Sequence, residues 1–213
     1  MESVIRVKDV SLKMKKDEIL KDINMEFEAG KIHGLVGRNG SGKTMLMKCI
    51  CGFIKVTDGE IRVENKIVGK DIDFPQNIGF IIETPGFIPY YSGYKNLLLL
   101  AGLKNRIGKE KVREAMTAVG LDYKLKRMVK KYSLGMRQRL GIAQAIMEEP
   151  AILILDEPFN GLDKEGVEEM RRYFIGLKEK GTTILICSHS ADDINFLCDT
   201  VAEMDKGMLK KIR

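Results

Sequence analysis

Apolar residues along the chain fall into short runs, and their spacing predicts a β-rich beginning. Two β-like segments open the sequence, within residues 4–7 and 19–27. A short apolar strand over 31–36 runs directly into a glycine-rich turn, and helical spacing follows from 45 to 51. A further β-like stretch lies within 61–68. The first part of the chain is therefore predicted to be mostly strands, interrupted by one helix.

The middle of the chain shows the helical repeat instead. In 109–119 the apolar residues recur at the i, i+3, i+4, i+7 spacing of one buried helix face. A second helix is predicted over 137–149, ending before Pro150 because proline removes a backbone donor and clashes with the preceding turn. This helical segment separates two β-containing parts.

After the helical segment the pattern returns to alternating strands and helices. Continuous apolar runs at 151–155 and 182–188 are of strand length, and 164–180 between them has the pattern of an amphipathic helix. Strands that are apolar without alternation, joined by helices, are typical of a parallel sheet covered on both faces. The chain is therefore predicted to be an α/β protein with sub-domains.

Composition excludes several classes of protein. Hydrophobic residues make up 44% and charged residues 31% of the 213 residues, which is ordinary for a globular chain and unlike a disordered one. No apolar run approaches the ~20 residues needed to span a bilayer, and the N-terminus lacks the apolar core of a secretory signal. The net charge of +6 suits a phosphate-bearing ligand or an anionic surface. Four cysteines without a CxxC pair indicate buried, reduced thiols in a cytoplasmic protein.

The glycine-rich turn after the strand at 31–36 carries the first chemistry. It fits the pattern G-x-x-x-x-G-K-[ST], in which glycines let successive backbone N–H groups face one concavity at a helix N-terminus. Lys43 is predicted to reach the β- and γ-phosphates, and the Thr44 hydroxyl to hold Mg²⁺. The alternative is a turn that merely joins a strand to a helix. The predicted nucleotide-binding residues of the loop are Gly37, Arg38, Asn39, Gly40, Ser41, Gly42, Lys43 and Thr44.

Two carboxylates follow the apolar strand at 151–155. The C-terminal end of such a strand is where ligands sit in an open α/β sheet. Asp156 is placed to be a Mg²⁺ partner opposite Thr44, and Glu157 to orient or deprotonate an attacking water. The alternative for this pair is a solvated strand end.

Taken in order, these motifs resemble those of the ATP-binding subunits of ABC transporters, and the resemblance covers essentially the whole chain. The phosphate loop resembles the Walker A motif of that family, and 152–157 resembles its Walker B motif. Residues 132–139, Tyr-Ser-Leu-Gly-Met-Arg-Gln-Arg, resemble the family signature. Residues 160–163 resemble the D-loop, and His189 resembles the switch histidine.

The resemblance implies a fold and a domain plan. The fold is a P-loop NTPase of ABC ATPase type, with a mixed or parallel sheet core, an antiparallel β sub-domain and an inserted helical sub-domain. Residues 1–213 form a single ABC ATPase domain. The core and β sub-domain cover about 1–86 and 151–213, and the helical sub-domain covers about 87–150.

The resemblance also implies roles for single residues. Glu157, His189 and Lys43 are the expected catalytic residues, with His189 sensing the γ-phosphate; a structural histidine is the alternative. Ser133, Gly135 and Asp163 are expected to contact ATP held by a second subunit. The alternative for Ser133 is an ordinary helix N-cap, and the alternative for Asp163 is a first-turn acid. Two ATP molecules would then be enclosed in a head-to-tail dimer.

Three positions depart from the family pattern. Met14 occupies the place of an aromatic residue that stacks on adenine, and a thioether can still pack on the base. Glu83 replaces the Q-loop glutamine; its oxygen can approach Mg²⁺ or water, but it adds negative charge near the γ-phosphate. The signature carries Leu134 and Met136 where Gly and Gln are commonest, while the backbone contact at Gly135 is kept.

The resemblance implies an ATPase that binds ATP and Mg²⁺ and powers a separate integral membrane permease, docking through the helical sub-domain and the segment 83–94. The location implied is the cytoplasmic face of the cell membrane, in a dimer with itself or with a second ABC subunit. Motif details resemble the bacterial branch for bacitracin and lantibiotic export or immunity. One alternative is an ATP-switched regulatory module with negligible turnover, suggested by the departures. Another is a soluble non-transport ABC ATPase; nucleic acid is not an expected partner, because the basic residues lie in short scattered clusters.

Overall fold

Two β-sheets and a group of helices make up the structure, a computed structural model that describes residues 2–213. The strands are β1 Ser3–Met14, β2 Asp17–Glu28, β3 Ile32–Val36, β4 Asp58–Val63, β5 Lys66–Ile67, β6 Ile78–Ile81, β7 Ile152–Asp156, β8 Thr183–Cys187, β9 Thr200–Asp205 and β10 Met208–Lys211. The helices are α1 Lys43–Ile50, α2 Gly93–Lys104, α3 Lys109–Ala118, α4 Leu134–Ile146, α5 Lys164–Glu179 and α6 Ala191–Leu197, with a 3-10 turn at Val129–Lys131.

The first sheet is antiparallel, in the order β2-β1-β4-β5. Apolar and polar residues alternate along β1, so one face is buried and includes Ile5, Val7 and Leu12, while the other face is open to solvent. The register between β1 and β2 shifts near Asp9, which has a positive φ of 50°. Such irregularities bend a strand and increase its twist.

The second sheet has the order β10-β9-β3-β8-β7-β6, and all of its strands except β10 run parallel. Successive residues of β7 enter different cores: Leu153 and Leu155 pack with the helices α2 to α5, and Ile152 and Ile154 pack with α1 and the antiparallel sheet. This double burial explains why the strand is apolar without alternation, and it confirms the predicted parallel sheet covered on both faces.

Most predicted elements are present, with shifted bounds. The helix predicted over 137–149 is α4, which begins and ends three residues earlier. It begins early because the Ser133 side chain accepts a hydrogen bond from the Met136 N–H at 3.1 Å and so caps the helix. It ends before Glu149, which has a positive φ of 50°. Helix α6 and strands β9 and β10 were not predicted.

The parallel sheet brings three loops to one edge. Cys187 at the end of β8 pairs in register with Leu35 of β3 on one side and with Asp156 of β7 on the other. The residues that follow these strands therefore leave the sheet side by side. They are the start of the phosphate loop at Gly37, the acid Glu157, and the segment that carries His189.

Two further expectations concern the membrane and the cysteines. Within residues 2–213, no helix combines the length and the apolar character required to cross a bilayer. The four cysteines are free and buried, as predicted. Burial raises the pKa of the Cys49, Cys51 and Cys198 thiols to about 12.

Candidate active site

The phosphate loop is shaped by close contact with β9. Gly37 has a φ of 145°, and a Cβ atom there would lie 2.1 Å from the Met204 carbonyl oxygen. Gly40 has a φ of 79° but faces open space, with nothing within 4 Å of a Cβ position. A side chain would thus strain the backbone at both positions, but only at Gly37 would it also collide with the neighbouring strand.

Lys43 and the start of α1 face the centre of this loop. Lys43 is only 7% exposed, and its ammonium group donates hydrogen bonds to the carbonyl oxygens of Gly37 at 2.7 Å and Arg38 at 3.0 Å. Helix α1 has Gly42 at its N-cap and no side-chain cap, so its first N–H groups are available to a ligand. Among the described residues, the Ser41 hydroxyl is buried without a hydrogen-bond partner. A phosphate group would satisfy these donors, so the residues present fit a nucleotide.

A hydroxyl and a carboxylate meet beside Lys43. The Thr44 Oγ1 donates a hydrogen bond of 2.7 Å to Asp156 Oδ2, which joins the start of α1 to the end of β7. Hard oxygen ligands of this kind suit Mg²⁺, which keeps several waters and takes its remaining ligands from substrate phosphates. Residues 2–213 contain no cluster of three or more His, Cys, Asp or Glu side chains able to hold a metal. The oxygens of Thr44 and Asp156 fit a Mg²⁺ ion that a bound nucleotide also holds.

Glu157 and His189 face each other across the ends of β7 and β8. The His189 backbone N–H donates to Glu157 Oε2 at 3.4 Å. The ring Nε2 of His189 lies 3.2 Å from Glu157 Oε1, which is buried and outside hydrogen-bonding geometry to any described residue. Burial raises the pKa of the Glu157 carboxyl above its ordinary value, and the nearby ring and backbone N–H of His189 oppose that rise. A carboxylate of raised pKa with a free oxygen is suited to accept a proton from water.

These groups line one cavity of about 370 Å³. It brings together residues of the phosphate loop, both carboxylates of the β7 end and the switch histidine. The lining residues are Ile19, Asn39, Gly40, Gly42, Lys43, Thr44, Met45, Asp156, Glu157 and His189.

The structure places Glu83 away from this cavity lining. Its side chain is 64% exposed, and its carboxylate accepts a hydrogen bond of 2.7 Å from Nζ of Lys48, a residue of α1. Glu83 also has a positive φ of 60°. Glu83 is therefore not among the residues that line the cavity, and its carboxylate is paired with Lys48.

Met14 is also absent from the cavity lining. It lies at the exposed end of β1, paired with Asp17 across the hairpin. Ile19 on β2 lines the cavity instead, and its carbonyl oxygen would lie 3.2 Å from a Cβ atom at Gly42. Sequence reasoning missed Ile19 because only the pairing of β1 with β2 shows which residues of the hairpin face the loop.

The signature and D-loop residues line a different cavity, of about 490 Å³. Ser133 caps α4 by accepting from Met136 N, and Asp163 caps α5 by accepting from Gly166 N at 2.9 Å. A Cβ atom at Gly135 would lie 2.6 Å from the Gly161 carbonyl oxygen, so the signature packs directly on the D-loop. None of the residues lining this cavity also lines the phosphate-loop cavity of the same chain.

Gln138 connects these two regions and was given no role in the sequence analysis. It lies on α4, is mostly buried, and its Nε2 donates a hydrogen bond to the Glu157 carbonyl oxygen at 3.2 Å. Glu157 has a positive φ of 51°, so its backbone conformation is one that needs support from its surroundings. The one indication of this contact in the sequence is that Gln138 lies within the signature motif.

Curated proteins similar to this chain are transport ATP-binding proteins. The bacitracin transport ATP-binding protein BcrA of Enterococcus faecalis is 42% identical over 211 residues, covering 98% of this chain and 68% of the relative. The lantibiotic transport ATP-binding protein SrtF of Streptococcus pyogenes is 34% identical over 207 residues, covering 97% of this chain and 89% of the relative. The uncharacterized ABC transporter ATP-binding protein YybJ of Bacillus subtilis (strain 168) is 42% identical, covering 97% and 95%.

Solved structures share the fold. The dimeric ATP-binding cassette MJ0796 in a post-hydrolysis state bound to ADP and Pi superposes with a TM-score of 0.87 at 23% identity, covering 98% of this chain and 99% of that one. The sequence profile described as ABC transporter matches residues 20–160, more than half of the chain. With the phosphate loop, the Thr44–Asp156 pair and the Glu157–His189 pair in one cavity, the chain belongs to the ABC transporter family, as an ATP-binding and ATP-hydrolysing subunit.

Proposed function

We propose that this chain hydrolyses Mg-ATP to drive a separate integral membrane permease. The observation that carries the proposal is the placement of the Glu157 carboxylate, with its raised pKa and free oxygen, in the same cavity as Lys43 and the Thr44–Asp156 pair. A water-activating group and a phosphate-binding loop in one site are the parts that phosphoryl transfer to water requires.

Each residue of the site has a part in the proposed hydrolysis. Lys43 and the backbone N–H groups of the loop bind the β- and γ-phosphates, and Thr44 and Asp156 would hold Mg²⁺. When bound, Mg²⁺ neutralises charge on the phosphates. Glu157 orients the attacking water and takes its proton as the water oxygen bonds to the γ-phosphorus. The bond between the γ-phosphorus and the β–γ bridging oxygen breaks in the same step, so that ADP leaves and phosphate is formed. His189 contacts the γ-phosphate beside Glu157. Catalysis then rests on positioning and charge neutralisation.

A second subunit would complete the site. The trans residues Ser133, Gly135 and Asp163 line a cavity separate from the chain's own phosphate loop. The N-terminus of α4 in that cavity is an anion-binding feature. We infer that these residues contact the ATP held by the other subunit of a head-to-tail dimer, formed with a second copy or with another ABC subunit.

The names of two relatives support a proposal for the transport partner and cargo. BcrA and SrtF are named for bacitracin and lantibiotic transport, and both cover nearly all of this chain. We therefore infer that the permease handles a peptide antibiotic and that this chain lies at the inner face of the membrane through that permease. Pull-down of the tagged chain from membranes of its host is expected to retain an integral membrane protein. Recovery of the tagged chain without any membrane protein would contradict this inference.

The rival function is an ATP-switched module with negligible turnover, suggested by Met14, Glu83 and Met136. Steady-state phosphate release from the purified chain, alone and with its membrane partner, separates the two. We expect phosphate release that depends on Mg²⁺. The matched control is Lys43→Ala, which removes the phosphate-binding ammonium group and should abolish this release. ATP binding without phosphate release in either preparation would reject hydrolysis and favour the switch.

A further inference from the structure

A charged side chain is buried in helix α6, which follows the switch histidine in the chain. Asp193, in the first turn of α6, is only 4% exposed. A buried carboxylate is costly unless it is paired and hydrogen-bonded. Asp193 lines a cavity of about 540 Å³ together with Glu157 and His189. The partners of this buried charge are therefore close to the proposed chemistry.

Both oxygens of Asp193 are fully engaged. Oδ1 accepts hydrogen bonds from Arg171 Nε at 2.9 Å and from Arg171 Nη2, and Oδ2 accepts from the Ser188 hydroxyl at 2.9 Å. The Ser188 oxygen accepts in turn from the Ser190 backbone N–H at 3.1 Å. The Ser190 hydroxyl closes the arrangement by accepting from the Asp193 N–H at 3.3 Å. These bonds fix the backbone on both sides of His189.

Arg171, the partner of Asp193 in the ion pair, is also held by several contacts. Arg171 lies on α5, the helix capped by the D-loop residue Asp163. Its side chain is 18% exposed, and its guanidinium lies 5.3 Å from the Phe196 ring centroid. A guanidinium that makes two bonds to one carboxylate and stacks on an aromatic face has little freedom. The switch segment is thus tied to the helix that follows the D-loop.

We propose that Arg171, Ser188 and Asp193 are positioning residues for ATP hydrolysis, holding His189 beside Glu157. No hydrogen bond to Glu157 fixes the imidazole ring: Nε2 lies 3.2 Å from Glu157 Oε1 but outside hydrogen-bonding geometry, and the 3.4 Å contact is made by the His189 backbone N–H. The ring position is set by the backbone that the Asp193 bonds hold. This proposal rests on the proposed function, since it concerns how His189 and Glu157 are aligned for the same reaction.

A merely structural role for the ion pair, joining α5 to α6, predicts different behaviour. It predicts reduced stability without a selective effect at His189. Ser188→Ala distinguishes the two roles, because it leaves the Arg171–Asp193 pair in place and removes only the hydroxyl between Asp193 and the switch backbone. Arg171→Lys is the second variant, because it keeps the positive charge and loses the two-bond geometry.

Histidine NMR reports the position of His189 without requiring hydrolysis. The chain contains two histidines. His33 is buried, with Nδ1 2.7 Å from Thr200 Oγ1 and Nε2 2.9 Å from the Glu28 carbonyl oxygen, and serves as an internal control. After assignment with His189→Gln, both Ser188→Ala and Arg171→Lys are expected to shift the His189 Cε1–H signal and leave the His33 signal in place.

Steady-state kinetics test whether a displaced His189 slows ATP hydrolysis. Ser188→Ala is expected to lower kcat for ATP hydrolysis by about tenfold while the KM for ATP stays within about twofold. Thr117→Ala, which removes an exposed hydroxyl on α3, is the matched control and should change neither. An unmoved His189 signal in both variants, or a raised KM with unchanged kcat, overturns the proposal. If the wild-type chain does not hydrolyse ATP, the proposed function fails, and the NMR signals still decide the positioning.

Discussion

The fixed shape of the phosphate loop is tested by adding one methyl group at two glycines. Gly37→Ala places a Cβ atom 2.1 Å from the Met204 carbonyl oxygen and 2.9 Å from Ser41 Oγ. Gly40→Ala places one in open space. Both positions have positive φ, so the pair separates the cost of the backbone conformation from the cost of the collision.

The two substitutions differ in expected magnitude. For Gly40→Ala the left-handed backbone costs ~1–2 kcal/mol, partly offset by the ~0.4–1 kcal/mol gained by restricting the unfolded chain. For Gly37→Ala an overpacking cost of ~1–3 kcal/mol is added, because a backbone carbonyl of the neighbouring strand cannot rotate away. We expect a loss of free energy of unfolding of about 1 kcal/mol for Gly40→Ala and about 2–4 kcal/mol for Gly37→Ala.

Urea unfolding without nucleotide measures these values directly. In thermal unfolding, each 1 kcal/mol corresponds to ~2–4 °C for a chain of this size. We expect Gly37→Ala to lower the midpoint several times more than Gly40→Ala. If the two variants lose equal stability, the close approach of β9 to the loop is not what determines the loop's shape.

Three further predictions concern the site. Glu83 is 64% exposed, so its ion pair with Lys48 is open to solvent screening, and a double-mutant cycle of Lys48→Met and Glu83→Gln should give a coupling of ~0.2–1 kcal/mol in urea unfolding. A coupling of several kcal/mol would contradict the exposed placement of Glu83. Burial raises the pKa of Glu157, and its ionised form is the proposed base, so single-turnover hydrolysis should fall as pH is lowered through that raised value. A hydrolysis rate that falls only around the ordinary carboxyl pKa would refute the assignment of Glu157 as the base. Thr44→Val removes the hydroxyl that lies 2.7 Å from Asp156 Oδ2. It should raise the Mg²⁺ concentration for half-maximal hydrolysis about tenfold or more. An unchanged Mg²⁺ requirement would contradict a role for Thr44 in holding the ion.

The parts of the fold that follow from local periodicity could be predicted from the sequence. Continuous apolar strands such as β7 and β8 indicate a parallel sheet, because each successive residue is buried on one face or the other. The phosphate loop and the two carboxylates at the end of β7 could be predicted from their position at strand ends. Strand β9 is also well buried, but it lies beyond the last predicted strand and was not predicted.

Contacts between distant elements could not be predicted in this way. The partner of Glu83 is Lys48, on a helix 35 residues earlier, and no local pattern indicates that pairing. Ile19 lines the cavity and Met14 does not, because the register of the hairpin decides which residues reach the loop. The bonds between Arg171 and Asp193 likewise depend on how α5 packs beside α6. Such contacts depend on tertiary packing, which the spacing of residues along one element does not report.

In the proposed mechanism, Glu157 activates water in a site that two subunits complete. The most direct measurement is the molecular mass of Glu157→Gln in solution by light scattering, with Mg-ATP and with Mg-ADP, alongside phosphate release. The neutral amide keeps the size of the side chain and removes the base. We expect no detectable hydrolysis and a dimer that forms with Mg-ATP and not with Mg-ADP. Phosphate release at the wild-type rate, or a monomer under both conditions, would contradict this mechanism.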